Sequence, residues 1–395
     1  MKQQFIALLA TRGLASVLNA LSFIWLGRLV GVEMIGVLGV VTSVTQFVFL
    51  VGDFGMATYV SRERARGNDS IVAQALFFNM ISTVLFGLIV TALLTALSFL
   101  AIIPWPLVMI GVGAALEKNT ETSLSVPIAD RNKSVPAVNV IVRRILALAV
   151  FAVVISLGLD PVLAFCLGTL IAGIVGQLHI RAWMRGKVAT PPARRRSDIA
   201  QVARAAWPFW VSNVTSGART LDISIVGALA SPYSAGLYSA ASKIMNPFRL
   251  IPSTLTSLVV PYAAAQNNAG ALRISFKLVA LFMSTLLLVV PLAFLGPDLT
   301  SLLMGPDFAA AGPMFGAMLV GLPFVALAPP LGSVLQSQGD ERFVGLNGTV
   351  FAILTVVLIT AGAFLASGEG AAWGLTLAYV GKCGVLLTRI VRRFR

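Results

Sequence analysis

The stretch Gly236–Val260 is long and apolar enough to cross a bilayer as a helix, yet one side of it is polar. Ser239, Ser242, Asn246, Arg249, Ser253 and Thr256 recur at steps of three or four and so share a helical face, with Lys243 on its flank. The chemistry on offer is that of fixed cations and hydrogen-bonding groups held inside a membrane. A cation near mid-membrane costs roughly 2.5–3.5 kcal/mol on insertion scales, so this face must point at protein or water. Other segments repeat the pattern. Arg12, Ser16 and Asn19 share a face, as do Thr42, Gln46 and Asp53; further on, Ser212, Thr215, Arg219 and Asp222 line up, with Arg219 and Asp222 close enough for an ion pair. One apolar segment carries Glu117, Lys118, Glu121 and Ser125, and the next carries Asn139, Arg143 and Arg144. Of these, Glu121 and Arg143 are expected to pair, Arg144 to point elsewhere and Lys118 to sit near an interface. Arg12 and Arg249 have no acid at helical spacing, which makes them the first candidates for ligand contact.

The same inventory argues against catalysis. The single histidine, His179, stands beside Arg181 at a segment end, so no Ser-His-Asp set can be assembled and no Cys/His group has zinc-site spacing. Gly381–Lys382 lacks both the first glycine and the Ser/Thr of a phosphate loop. Cys166 and Cys383 lie in apolar segments and read as core. No metal, no cofactor and no enzymatic activity are expected.

What must position these residues is a set of membrane helices. Hydrophobic residues make up 57% of the 395 and charged ones 11%, where a soluble domain carries roughly 25% charged residues. The length accommodates about a dozen spans of roughly 20 residues. They are expected near 5–29, 34–60, 71–99, 104–127, 135–158, 161–183, 202–230, 234–261, 272–296, 309–336, 343–366 and 370–391. The net charge of +14 is then a matter of topology rather than of nucleic acid. Arg62, Arg64, Arg66, Arg131, Lys133, Arg181, Arg185 and Lys187 fall in or beside even-numbered loops, whereas 97–103, 158–161, 231–234, 297–308 and 367–370 hold no Lys or Arg. The positive-inside rule therefore places the even loops and both termini in the cytoplasm.

Residues 185–201, with Pro191-Pro192 and the run Arg194–Arg196, read as a cytoplasmic linker between six spans in 1–184 and six in 202–395. The halves look alike. Gly27, Leu29 and Gly36 recur as Gly227, Leu229 and Gly236, and Ser16, Gln46 and Asp53 face Ser216, Asn246 and Ser253, all at an offset of 200. Because six is even, the two lobes enter the membrane in the same sense and are related by a pseudo-two-fold axis along the membrane normal. Spans one, two, seven and eight then line a central cavity. Pro323, Pro329 and Pro330 bend the tenth span.

The segment Gly27–Glu63, with Gly31, Gly36 and the closing Asp53-Phe54-Gly55, resembles the opening of Wzx-type polysaccharide-biosynthesis flippases. Trp207–Ile244, with Pro208, Leu221-Asp222 and Gly236-Leu237-Tyr238, resembles the matching repeat, and Pro252 and Pro261 also fit. The resemblance implies an all-α, MATE-like exporter that moves an oligosaccharide on polyprenyl pyrophosphate to the outer leaflet of the bacterial inner membrane by alternating access. It implies membrane lipids as surroundings, and a polysaccharide polymerase and glycosyltransferases as partners in the pathway. Arg12, Arg219, Lys243 and Arg249 would then meet the pyrophosphate. Ser16, Asn19, Gln46 and Asn246 would meet sugar hydroxyls, and Asp53 and Asp222 complete the cavity set. The two additional helices of the lipid II flippase are not seen, which argues against that substrate. The rival reading is a cation-coupled multidrug exporter, for which Asp53, Glu117 and Glu121 are available acids.

Overall fold

The computed structural model describes residues 2–188, 196–249 and 268–394, and every regular element among them is helical. The chain forms two compact units that interleave along the sequence: Met1–Ser22 with Val41–Thr220, and Phe23–Val40 with Leu221–Arg395. Seven helical stretches among the described residues are long and apolar enough to cross a membrane. Two of them, Gly13–Gly52 and Glu341–Phe394, hold more than one crossing, because breaks too small to end the hydrogen-bonded run still turn the chain. This is a multi-pass, all-α membrane protein.

Helix α1 (Lys2–Gly52) breaks at Gly31, whose φ of 77° favours glycine. The expected first and second spans lie on either side. The first unit continues through α2 (Met56–Ala65), α3 (Asp69–Phe99), α4 (Met109–Ser123), α5 (Ser125–Ala129), α6 (Ser134–Ser156), α7 (Pro161–Met184) and α8 (Arg196–Gly217). Asp160 caps α7 by accepting from the Leu163 amide at 2.7 Å, ahead of Pro161 at the first position, the arrangement a helix start favours. At one end of this unit Met56, Tyr59, Val60, Val72, Val126, Val202 and Ala206 form a buried apolar cluster. Above it Arg64 clamps Asp130 with two nitrogens, at 2.7 and 3.1 Å, and also reaches Asp69.

The second unit holds the middle of α1 together with α9 (Asp222–Leu229), α10 (Pro232–Met245), α11 (Asn268–Ser284), α12 (Leu286–Phe294), α13 (Gly296–Met304), α14 (Gly312–Ser337) and α15 (Glu341–Phe394). A break at Ala366–Ser367 divides α15 into the expected eleventh and twelfth spans. The prolines do not interrupt α14. It is one continuous helix, buried along most of its length. Thr376 of α15 donates to the Ala317 carbonyl at 2.9 Å and Cys383 to that of Phe324 at 3.2 Å, and Gly321 leaves room for Thr376.

Three expectations need correcting. The loop expected over 297–308 contains α13 and a 3-10 turn. The second span does not run unbroken to residue 60 but turns at Asp53–Gly55, and the fourth is split at Leu124. In each case a short apolar segment hides a backbone turn from hydropathy.

The repeat becomes visible inside the second unit. A Cβ on Gly36 would collide with the Pro232 carbonyl oxygen, and a Cβ on Gly236 with that of Val32. Val32 and Pro232, like Gly36 and Gly236, are 200 positions apart. The contact is reciprocal, as a two-fold relation between two similar helix starts requires, and the backbones approach this closely because neither partner has a side chain.

Candidate functional site

The Asp53-Phe54-Gly55 turn is the best-defined polar feature of the first unit. Phe54 and Gly55 both have positive φ, 48° and 70°, so the chain leaves α1 sharply and restarts as α2. The carbonyls left open at the end of α1 are taken by side chains: Val51 accepts from Trp210 Nε1 at 2.7 Å and Gly52 from Ser82. Phe54 packs edge-on against Phe78 and stacks on Trp210, with ring centroids 5.3 and 6.1 Å apart. Gly55 has no side chain because the backbone of Phe209 and Trp210 on α8 passes where a Cβ would stand, 2.7 Å away. The turn is thus a socket for α8.

Asp53 is buried at the inner edge of this socket and accepts from Thr122 Oγ1 at 3.2 Å. Lys118 Nζ lies 3.4 Å from its other oxygen and 3.9 Å from Glu121. One turn back on α4, Glu117 receives both Arg144, at 2.8 Å, and Arg143, at 3.4 Å. Amides surround the charges: Asn79 donates to Asn119 at 2.8 Å, Thr120 to Gln177 at 2.8 Å, and Asn139 to the Gly176 carbonyl at 2.8 Å while also meeting His179. Two expectations are overturned. The acid that meets Arg143 is Glu117 rather than Glu121, and Arg144 does not point elsewhere but converges on the same oxygen. Lys118 Nζ is held against the buried Asp53 carboxylate. The i and i+4 positions 117 and 121 share a face of α4, and the register of α6 decides which of them meets the arginines.

In the second unit Asp222 is buried at the first position of its helix, accepting from the Ile223 amide at 2.7 Å and from Tyr238 at 3.3 Å. Ser239 and Ser242 are buried, and Lys243 lies with Nζ 5.5 Å from the Phe23 ring centre. Sequence reasoning passed over Arg28. It reaches across to the end of α13 and donates to the carbonyls of Leu303, at 2.8 Å, and Leu302, at 2.5 Å, a favourable place for a cation. Its signal was a basic residue at a side of the chain otherwise poor in them.

The remaining candidates fall as follows. Ser16 and Asn19 are half-buried on α1 and Gln46 is exposed there; Arg219 is half-buried in the 3-10 turn Ala218–Leu221. Asn246 is half-buried in the turn Asn246–Arg249. The side chains of Arg12 and Arg249, and the whole of Ser253 and Thr256, lie outside the described residues. Ser16, Asn19, Gln46, Asp53 and Arg219 belong to the first unit, and Asp222, Lys243 and Asn246 to the second.

A family model described as polysaccharide biosynthesis protein matches residues 25–310. A search of curated proteins finds no match. Among solved structures, the chain is similar to the lipid II flippase MurJ in an inward closed conformation, at 14% identity and a TM-score of 0.77, covering 98% of this chain and 89% of that one. It is similar to a multidrug resistance MATE family transporter of the MOP superfamily in an inward-facing conformation, at 14% identity and a TM-score of 0.72, covering 96% and 94%. An outward-facing conformation of a MATE family transporter of the same superfamily matches at 15% identity and a TM-score of 0.65, covering 99% and 94%. The fold is the one these proteins share.

Proposed function

Starting from a chain that belongs to the polysaccharide biosynthesis protein family, we propose that it is a flippase for an oligosaccharide carried on polyprenyl pyrophosphate. It would move this lipid from the cytoplasmic to the outer leaflet of the bacterial inner membrane by alternating access of the lobes 1–184 and 202–395. The observation that carries the reading is the family match on a fold shared with lipid flippases and exporters. The reciprocal Gly36–Gly236 contact supports a cycle in which two similar helix starts part and close. Arg12, Arg219, Lys243 and Arg249 would supply the positive charge that a diphosphate needs, and Ser16, Asn19, Gln46 and Asn246 the small polar partners of sugars. Asp53 and Asp222 would hold the helices that carry these groups. Both termini and the basic loops would face the cytoplasm. Polymerase and glycosyltransferases would act before and after this step.

The test replaces Arg12, Arg219 and Arg249 together by alanine and measures surface polysaccharide export at matched protein levels. Export should fall at least about tenfold, the equivalent of one lost charge-assisted contact; unchanged export ends the reading of these residues. The fold shared with MATE transporters also favours a second reading, a cation-coupled multidrug exporter. A deletion strain that becomes drug-sensitive while keeping its surface glycan would favour that one.

A further inference from the structure

We propose that Arg143 and Arg144 form an anion site for a phosphate-bearing headgroup, with Glu117 as the carboxylate that holds the place until such a group arrives. The inference rests on the flippase reading, which supplies a lipid diphosphate as the ligand class. Depth comes first. Arg143 lies about 14 Å along α6, in the middle third of a helix long and apolar enough to cross a membrane, and Glu117 of α4 meets it there. At that depth charged side chains that are reached at all must be reached by water rather than lipid. Glu117 is 40% exposed and Arg144 28%, so a polar space meets the pair. Arg143 is only 6% exposed and is held from behind. Its chain passes over Gly176, where a Cβ would collide with it, and Asn139 fixes the Gly176 carbonyl.

Donor arithmetic then favours phosphate. Each guanidinium is a fork of N–H groups built for paired acceptors, yet both reach a single oxygen of Glu117, and the buried Arg143 Nε has no hydrogen-bond partner. One carboxylate under-fills two forks, whereas a phosphate or diphosphate presents more oxygens in a tetrahedral array. Among the described residues, the charges that meet at the site are Glu117, Glu121 and Lys118 from α4 and Arg143 and Arg144 from α6. Lys118 lies between Asp53 and Glu121, at 3.4 and 3.9 Å, and Glu117 is the carboxylate on the two arginines. An incoming anion therefore competes with Glu117, and removing that charge should tighten binding.

The test uses the purified full chain in detergent, titrated with farnesyl pyrophosphate and followed by tryptophan fluorescence. Glu117→Gln, which keeps shape and hydrogen bonding, should bind roughly tenfold tighter, and Arg144→Gln roughly tenfold weaker. Arg144 is the more exposed member, and its loss leaves the Arg143–Glu117 pair in place. Parallel titrations with inorganic pyrophosphate and with phosphatidylglycerol vesicles assign the source; the same variant pattern with either one names that anion as the ligand. If wild type binds farnesyl pyrophosphate and neither variant changes its affinity, the pair is purely structural and this inference falls while the flippase reading stands. If Glu117→Gln lowers the melting temperature and weakens binding, the inference also falls. Failure of wild type to bind any of the three anions sinks this site, and export that survives the triple arginine replacement separately decides the reading beneath it.

Discussion

At the scale of single residues, charge at membrane depth is matched locally. Lys118 neutralises Asp53 and Glu117 meets two arginines, so the cost of burying each ion is offset by its neighbour. The same economy operates outside the membrane. Asp340, between α14 and α15, receives Arg389 Nε at 2.8 Å and Arg393 Nη1 at 3.1 Å. The hydrogen bond from Arg389 holds its carboxyl below the usual aspartate range, despite partial desolvation. A carboxylate with a depressed folded value stabilises the protein above its unfolded value and loses that contribution as pH falls through the folded one. Asp340→Asn should therefore lower the melting temperature by a constant amount from pH 8 to about 5. That difference should shrink below about pH 4. Melting curves of both proteins across this range check the sign. Glu63, held low mainly by Asn68, adds to the same acid limb.

At the scale of elements, the joints carry the design. The Asp53–Gly55 turn combines two positive φ values, two aromatic contacts and a backbone-on-backbone approach to α8. Gly55→Ala adds a strained left-handed residue and a methyl group where the Phe209 backbone stands. It should destabilise the first unit by about 2–3 kcal/mol, read as a lower melting temperature. Gly67, which also has positive φ but meets nothing, is the control; its alanine variant should lose only the smaller backbone part. In the second unit, Thr376→Val removes the donor to the Ala317 carbonyl while keeping the volume beside Gly321. A loss of about 1 kcal/mol is expected, and a value near zero would mean that the α14–α15 pair is held by packing alone.

For the whole molecule, the reciprocal glycine contact makes a symmetry statement that can be measured. Gly36→Ala and Gly236→Ala push against carbonyls related by the same offset, so the two should have nearly equal effects on stability and on export, each in the range of about 1–3 kcal/mol of overpacking. Because they share one contact, the double variant should cost clearly less than the sum. Unequal or fully additive effects would show that the two helix starts are not equivalent in the working protein.

Composition and hydropathy were enough to indicate a multi-pass all-helical chain, because hydropathy acts over whole segments and survives local detail. Gly36 and Gly236 were legible as special positions, since a glycine repeated at one offset marks a backbone constraint. Which acid meets which arginine was not legible. Glu117 and Glu121 have the same type, face and helix, and only the register of α6 against α4 chooses between them. Nor could the sequence reveal that residues 23–40 pack with the second unit, that Arg28 closes α13, or that three prolines sit in an unbroken helix. Each of those outcomes depends on partners hundreds of residues away or on packing that overrides local preference, and such distances exist only once the chain has folded.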